Sequence, residues 1–191
     1  MRGVVTLMGA WHSSQTNQPK PIMIHPELEQ AINAQINQEL SASYNYLGMS
    51  TYFDTQNLDG FARWMLLQHD EEKVHAMKLL HYLQDRGGTV KLNAIPAPLS
   101  DYGSPLEVFQ VALQTEVDNT TSINALYELA LKLSDHATKS HLQWFLDEQV
   151  EEEKSIEDVI ALLERIGDES AGLLYLDDKL GARKPEAADE A

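Results

Sequence analysis

The chain has 191 residues, 43% of them hydrophobic and 23% charged, enough for one domain with a real core and too few for two. It contains no cysteine, which excludes disulfide frameworks, zinc ribbons, thiolate-held iron–sulfur clusters and a cysteine nucleophile, and fits a reducing compartment, the cytoplasm. With 30 acidic against 14 basic residues the formal net charge is −16, a surface that repels nucleic acid and anionic membranes and attracts cations. No apolar run approaches the ~20 residues needed to span a bilayer.

Residues 1–22 carry Gly, Ser, Thr, Gln, Asn and two Pro without a helical period. Their expected state is a flexible extension. An upstream start with Met23 as the first residue, or a cleaved leader, stays open, although the patch Val4-Val5-Thr6-Leu7-Met8 is weak for a secretory segment.

From Pro26 the pattern is helical and the expected fold is all-α, with one domain over 23–181 and a polar, disordered tail over 182–191. The first helix starts at Pro26, with Glu27 and Glu29 at its positive end, and its seam is Leu28, Ile32, Gln35, Glu39, Ala42, Tyr46, Met49, Phe53. A break at Thr55-Gln56-Asn57 leads to a second seam of Leu58, Phe61, Met65, Gln68, Glu72, His75, Leu79, Tyr82, stopped by Gly87-Gly88. A Gly/Pro-rich stretch to Gly103 follows. Ser104 with Glu107 forms a capping-box pattern that opens a third seam of Phe109, Ala112, Glu116, Asn119, Ile123, Leu126, Ala130, Leu133. After a tight turn at Ser134-Asp135 the fourth seam is Thr138, Leu142, Phe145, Gln149, Glu152, Ile156, Val159, Leu163, closed by Gly167. A short fifth helix is expected from Glu169 to Leu180.

Short first and third connections make antiparallel hairpins. The second connection, about 16 residues, reaches ~53 Å when extended, whereas a ~28-residue helix is ~42 Å long. The topology is therefore a four-helix bundle with one long crossover and a short terminal helix.

Each seam is interrupted near its middle by one acid: Glu39, Glu72, Glu116 and Glu152. A buried unpaired carboxylate costs several kcal/mol or takes up a proton, so four of them call for a common partner. Their heights agree. The midpoint of Glu39 and Glu72 is 55.5, inside the first turn, and that of Glu116 and Glu152 is 134, at the third turn, so each hairpin brings its two acids level. Glu72 and His75, at i and i+3, share one helical face. A lone Glu-x-x-His usually marks an exposed helix face; with three further acids at matched height it reads as a di-metal site. Imidazole with carboxylates suits iron, and four carboxylates with one imidazole can hold two ions.

The segments Gln38–Tyr44, Asp70–Ala76 and Phe145–Glu153 resemble the non-haem ferritins, prokaryotic type, and the resemblance covers roughly Met23 to Leu180. It implies a ferritin-like bundle that oxidises Fe(II) with O₂ or peroxide at a di-iron ferroxidase centre. It also implies a homo-oligomeric shell, with 24 subunits expected, that encloses an iron-oxide core. By that resemblance Glu39, Glu72 and His75 hold the first iron, and Glu72, Glu116 and Glu152 the second, with Gln149 as a polar neighbour. Glu71, Glu148 and Glu151 correspond to a third iron position, or else to a solvated acidic face. Tyr46, two turns from Glu39, corresponds to a one-electron donor, where position alone suggests core packing.

Two departures point to a haem-free branch. Ser155 stands where some relatives have a second histidine, and Lys73 stands where haem-binding bacterioferritins carry their axial methionine. The readings set against iron storage are a di-metal oxidase of an organic substrate and a purely structural bundle with protonated seam acids.

Overall fold

A computed structural model describes residues 23–167 and 170–185. Its helices are α1 (Pro26–Thr55), α2 (Asp59–Asp85), α3 (Pro105–Lys132), α4 (His136–Ile166) and α5 (Ser170–Gly181). The described residues contain no strand. The expected all-α bundle, with a long second connection and a short fifth helix, is what the chain forms.

Most boundaries follow from capping chemistry legible in the sequence. Ser104 accepts from the Glu107 amide while the Glu107 carboxylate accepts from the Ser104 amide, a complete capping box at α3. Asp135 caps α4 through the Thr138 amide at 2.9 Å, and the preceding Ser134 takes a positive φ of 55° to close the turn. Residues 1–22, with the extension expected there, lie outside the described residues, as do 168, 169 and 186–191.

α2 begins differently. Its cap position is Leu58, which offers no side-chain acceptor. The Asp177 carboxylate of α5 accepts instead from the Phe61 amide at 2.9 Å, so the fifth helix caps the second. Close approach requires glycine here: a Cβ on Gly60 would lie 1.7 Å from the Asp177 carbonyl oxygen.

The crossover runs along α1. Asn33 donates to the Thr89 carbonyl and accepts from the Lys91 amide, and Asn37 donates to the Lys91 carbonyl and accepts from the Asn93 amide. Two asparagines one turn apart thus satisfy backbone that has no strand partner.

The seams bury as read, with two exceptions at helix ends. Tyr82 and Leu133 are only half-buried, and Leu83 is fully buried beside Tyr82. Tyr82 keeps its hydroxyl at the rim, where it meets Thr138 and Arg86 while its ring stacks on His141. Leu133 is already the cap residue of α3.

Apolar packing divides into two clusters. One gathers Tyr46, Phe53, Phe61, Met65, Phe109, Ile156 and α5; the other gathers Leu28, Ile32, Ile36, Leu79, Ile123, Leu142 and Phe145. On every long helix the seam acid falls between the two. Glu39 lies between Ile36 and Tyr46, Glu72 between Met65 and Leu79, Glu116 between Ala112 and Ile123, and Glu152 between Phe145 and Ile156. The bundle is two oily plugs with one polar layer between them.

Candidate metal centre

Two facing hairpins build the polar layer. α1 supplies Glu39 and Tyr46, α2 supplies Gln68, Glu71, Glu72 and His75, α3 supplies Glu116 and Asn119, and α4 supplies Gln149 and Glu152. All ten are buried. Such a layer destabilises the bundle unless its groups are paired, protonated or bound to cations.

Glu39, Glu72 and His75 each present one donor atom within 4.8 Å of the others, close enough to hold a single ion. Glu39 is positioned from outside this trio. Gln35 donates to its Oε1 at 2.9 Å, Asn119 donates to its Oε2 at 2.6 Å, and Ser122 and Asn119 in turn hold the Gln35 amide. Each Glu39 oxygen keeps a second lone pair for a metal.

Glu72 contrasts with this. Neither of its oxygens receives a hydrogen bond, and His75 Nδ1 is equally without a partner, 3.6 Å from Glu72 Oε2. Buried orphans are rare and need an explanation. Three unpartnered donor atoms facing one space fit a cation as their absent partner.

Glu116 and Glu152 are turned to protein partners. Tyr46 donates its hydroxyl to Glu116 Oε1, and Gln149 Nε2 lies 3.3 Å from Glu116 Oε2. Gln68 donates to Glu152 Oε2 at 2.6 Å. These two acids stand outside the three-residue group.

Burial and mutual repulsion shift the proton affinities of the layer. Burial, reinforced by the charges of Glu116, Glu39 and Glu152, holds Glu72 well above the usual carboxylate range. Glu152 is also held well above that range, by burial and then by Glu116 and Glu71, against the opposing pull of the Gln68 hydrogen bond and the Arg183 charge. Burial pushes Glu116 up to about 7, opposed by its bonds from Tyr46 and Gln149. His75 is pushed down by burial, so its imidazole is neutral, the form that ligates. Burial and the neighbouring carboxylates keep the Tyr46 phenol protonated.

The three further acids form no compact ligand group like that of Glu39, Glu72 and His75 among the described residues. Glu71 is buried and ion-paired with Arg183, Glu148 is half-buried, and Glu151 is exposed along a groove shared with Thr120, Gln149, Glu153 and Glu157. Trp144 packs edge-on against His75, ring centroids 5.3 Å apart, beneath the Lys78 ammonium.

Sequence reasoning put Gln35, Gln68 and Asn119 on the seams but gave them no task. Their signal is spacing: each is an amide one turn from a seam acid, where an apolar residue would pack as well. Arg183 carries no such signal, because only the return of α5 brings it to α2.

A family profile described as the ferritin-like domain matches residues 29–166. The chain is similar to the bacterial non-heme ferritin of Staphylococcus aureus (strain USA300), 41% identical over 161 residues that cover 84% of this chain and 97% of the relative. A bacterial non-heme ferritin of Staphylococcus saprophyticus is 42% identical, over 84% of this chain and 96% of its own. Among solved structures the chain is similar to an open-pore ferritin from the hyperthermophilic archaeon Archaeoglobus fulgidus. Their TM-score is 0.83 and their identity 43%, covering 84% of this chain and 99% of that one.

Proposed function

The chain belongs to the ferritin family, and from that premise we propose that it oxidises Fe(II) at the polar layer and stores the product as ferric mineral within a homo-oligomeric shell. The observation that carries this reading is the group of unpartnered, buried ligand atoms on Glu72 and His75, with Glu39 held ready beside them. Iron is the substrate here.

Glu39, Glu72 and His75 take the first Fe(II), and Glu72 with Glu116 and Glu152 takes the second. Glu72, Glu116 and Glu152 hold protons before iron enters, and entering Fe(II) displaces them, so binding strengthens as pH rises towards neutral. Each Fe(II) gives up one electron to O₂ or peroxide. Tyr46, bonded to Glu116, is placed to supply a further electron, and its proton has an acceptor in that carboxylate. Ferric product leaves past Glu71, Glu148 and Glu151, the third position.

A shell of 24 subunits in the cytoplasm completes the proposal. No described helix is long and apolar enough to cross a membrane.

The test is Glu72→Ala in the purified apoprotein, with Fe(II) added aerobically and near-ultraviolet absorbance followed beside particle mass. We expect the fast oxidation phase to disappear while the shell still assembles, because losing one buried carboxylate relieves repulsion in the metal-free layer. Wild-type oxidation rates in the variant would refute the assignment.

A further inference from the structure

α5 and the segment leaving it run along one face of α2. Asp177 caps the helix at Phe61 and packs on Gly60, the Arg183 guanidinium lies 4.8 Å from the Trp64 ring centre, and it then reaches Gln68 and Glu71. These contacts fall at positions 60, 64, 68 and 71 of α2, one stripe leading from its N-terminus to the polar layer. Arg183 donates through one nitrogen to Gln68 Oε1 and through the other to Glu71 Oε2, the latter at 2.8 Å. Gln68, fully buried, passes the contact on to Glu152 Oε2. A single guanidinium therefore reaches a ligand of the second iron through one amide and occupies an oxygen of the third iron position directly.

We propose that Arg183 is a built-in competitor of the third iron, a tethered cation on Glu71 that iron must displace to pass from the di-iron centre towards the cavity. This rests on the ferroxidase reading above and deepens it. The ion pair is partly buried and charge-assisted, with side-chain exposures of 21% for Arg183 and 10% for Glu71. The same contact fixes the Gln68 amide with its oxygen towards Arg183 and its nitrogen towards Glu152, so displacement of Arg183 also frees Gln68 to turn. Arg183 is a positioning residue: it touches no iron, and it sets the affinity of the exit.

The experiment uses assembled, full-length protein and redox-inert Zn(II), in solution titrations and in crystals soaked at graded concentrations. Replacing Arg183 with glutamine keeps a polar group and removes the charge. We expect R183Q to bind Zn(II) at the Glu71 position about tenfold more tightly than wild type, the effect of one partly buried charge-assisted bond. Lysine keeps the charge but not the fork that reaches both Gln68 and Glu71, so R183K should fall between R183Q and wild type. Wild-type crystals should also show Arg183 swung off Glu71 wherever zinc fills the third position. A third-position affinity unchanged in R183Q, or Arg183 still bonded to Glu71 beside bound zinc, would overturn the proposal. Absence of zinc from Glu39, Glu72 and His75 would overturn the ferroxidase reading instead.

Discussion

Replacing Glu116 with glutamine should stabilise the metal-free protein at neutral and alkaline pH, although it removes a proposed ligand. Glu116 titrates at about 7 in the folded chain against an ordinary value of 4.5, chiefly because burial penalises its charge. The folded state thus binds this proton more tightly than the unfolded chain does. Below pH 4.5 both states are protonated and nothing is lost. Between 4.5 and 7 the unfolded chain gives up its proton first, so stability falls as pH rises, and above 7 the full cost is present. A displacement of about 2.5 pH units at 1.36 kcal/mol each corresponds to about 3 kcal/mol. Glutamine cannot ionise and escapes this cost.

Its hydrogen bonds can be kept as well. Its oxygen accepts from Tyr46, and its amide nitrogen can donate to Gln149 Oε1, now without a partner, if the Gln149 amide turns over. Thermal melts of chelator-treated protein from pH 4 to 8.5, followed by circular dichroism, should show the variant ahead by roughly 10 °C at pH 8 and level at pH 4. Added Fe(II) should reverse the order at pH 8, because only the wild type recovers the cost of its charge through the metal. Parallel melting temperatures across the whole range would refute the assignment of strain to Glu116.

Tyr46→Phe keeps the ring within its cluster and removes the donor to Glu116. Stopped-flow oxidation should be slower or change its iron-to-O₂ stoichiometry, and unchanged kinetics would leave Tyr46 as packing. The two irons should also differ in affinity. The His75 site has an imidazole and orphaned oxygens, whereas Glu116 and Glu152 offer no imidazole and share their charge with Tyr46, Gln149 and Gln68. Anaerobic Fe(II) at sub-saturating ratios should therefore fill the His75 site first in crystals. Equal occupancy at every loading would remove the basis for this order.

The four seam acids and His75 were legible because burial and helical period leave few alternatives. A 3.6-residue stripe fixes the face, and distance from a short turn fixes the height. The division of labour among the acids was not legible. Spacing treats Glu39, Glu72, Glu116 and Glu152 alike, yet Glu39 is held by two amides, Glu116 by a phenol, Glu152 by Gln68, and Glu72 by nothing. That difference depends on which rotamers let Gln35 and Asn119 span from one hairpin to the other, information outside any one-dimensional pattern. The α2 start was likewise hidden, since its cap lies 116 residues away in the chain.

The uneven support has a consequence for turnover. A storage protein must bind iron, oxidise it and let it go, so a centre with every ligand rigidly preset would hold its product. Here the preset ligand is Glu39, tied into the Gln35–Asn119–Ser122 network on the side away from α5. Glu152 and Glu71, by contrast, are linked through Gln68 to Arg183, a residue just past the end of a short docked helix. The layer is tied by buried amides around Glu39 and by a partly exposed guanidinium around Glu71 and Gln68. Under the proposed function, iron would exchange more readily on the Arg183 side, because displacing a tethered guanidinium there needs less rearrangement than breaking the buried amide network behind Glu39.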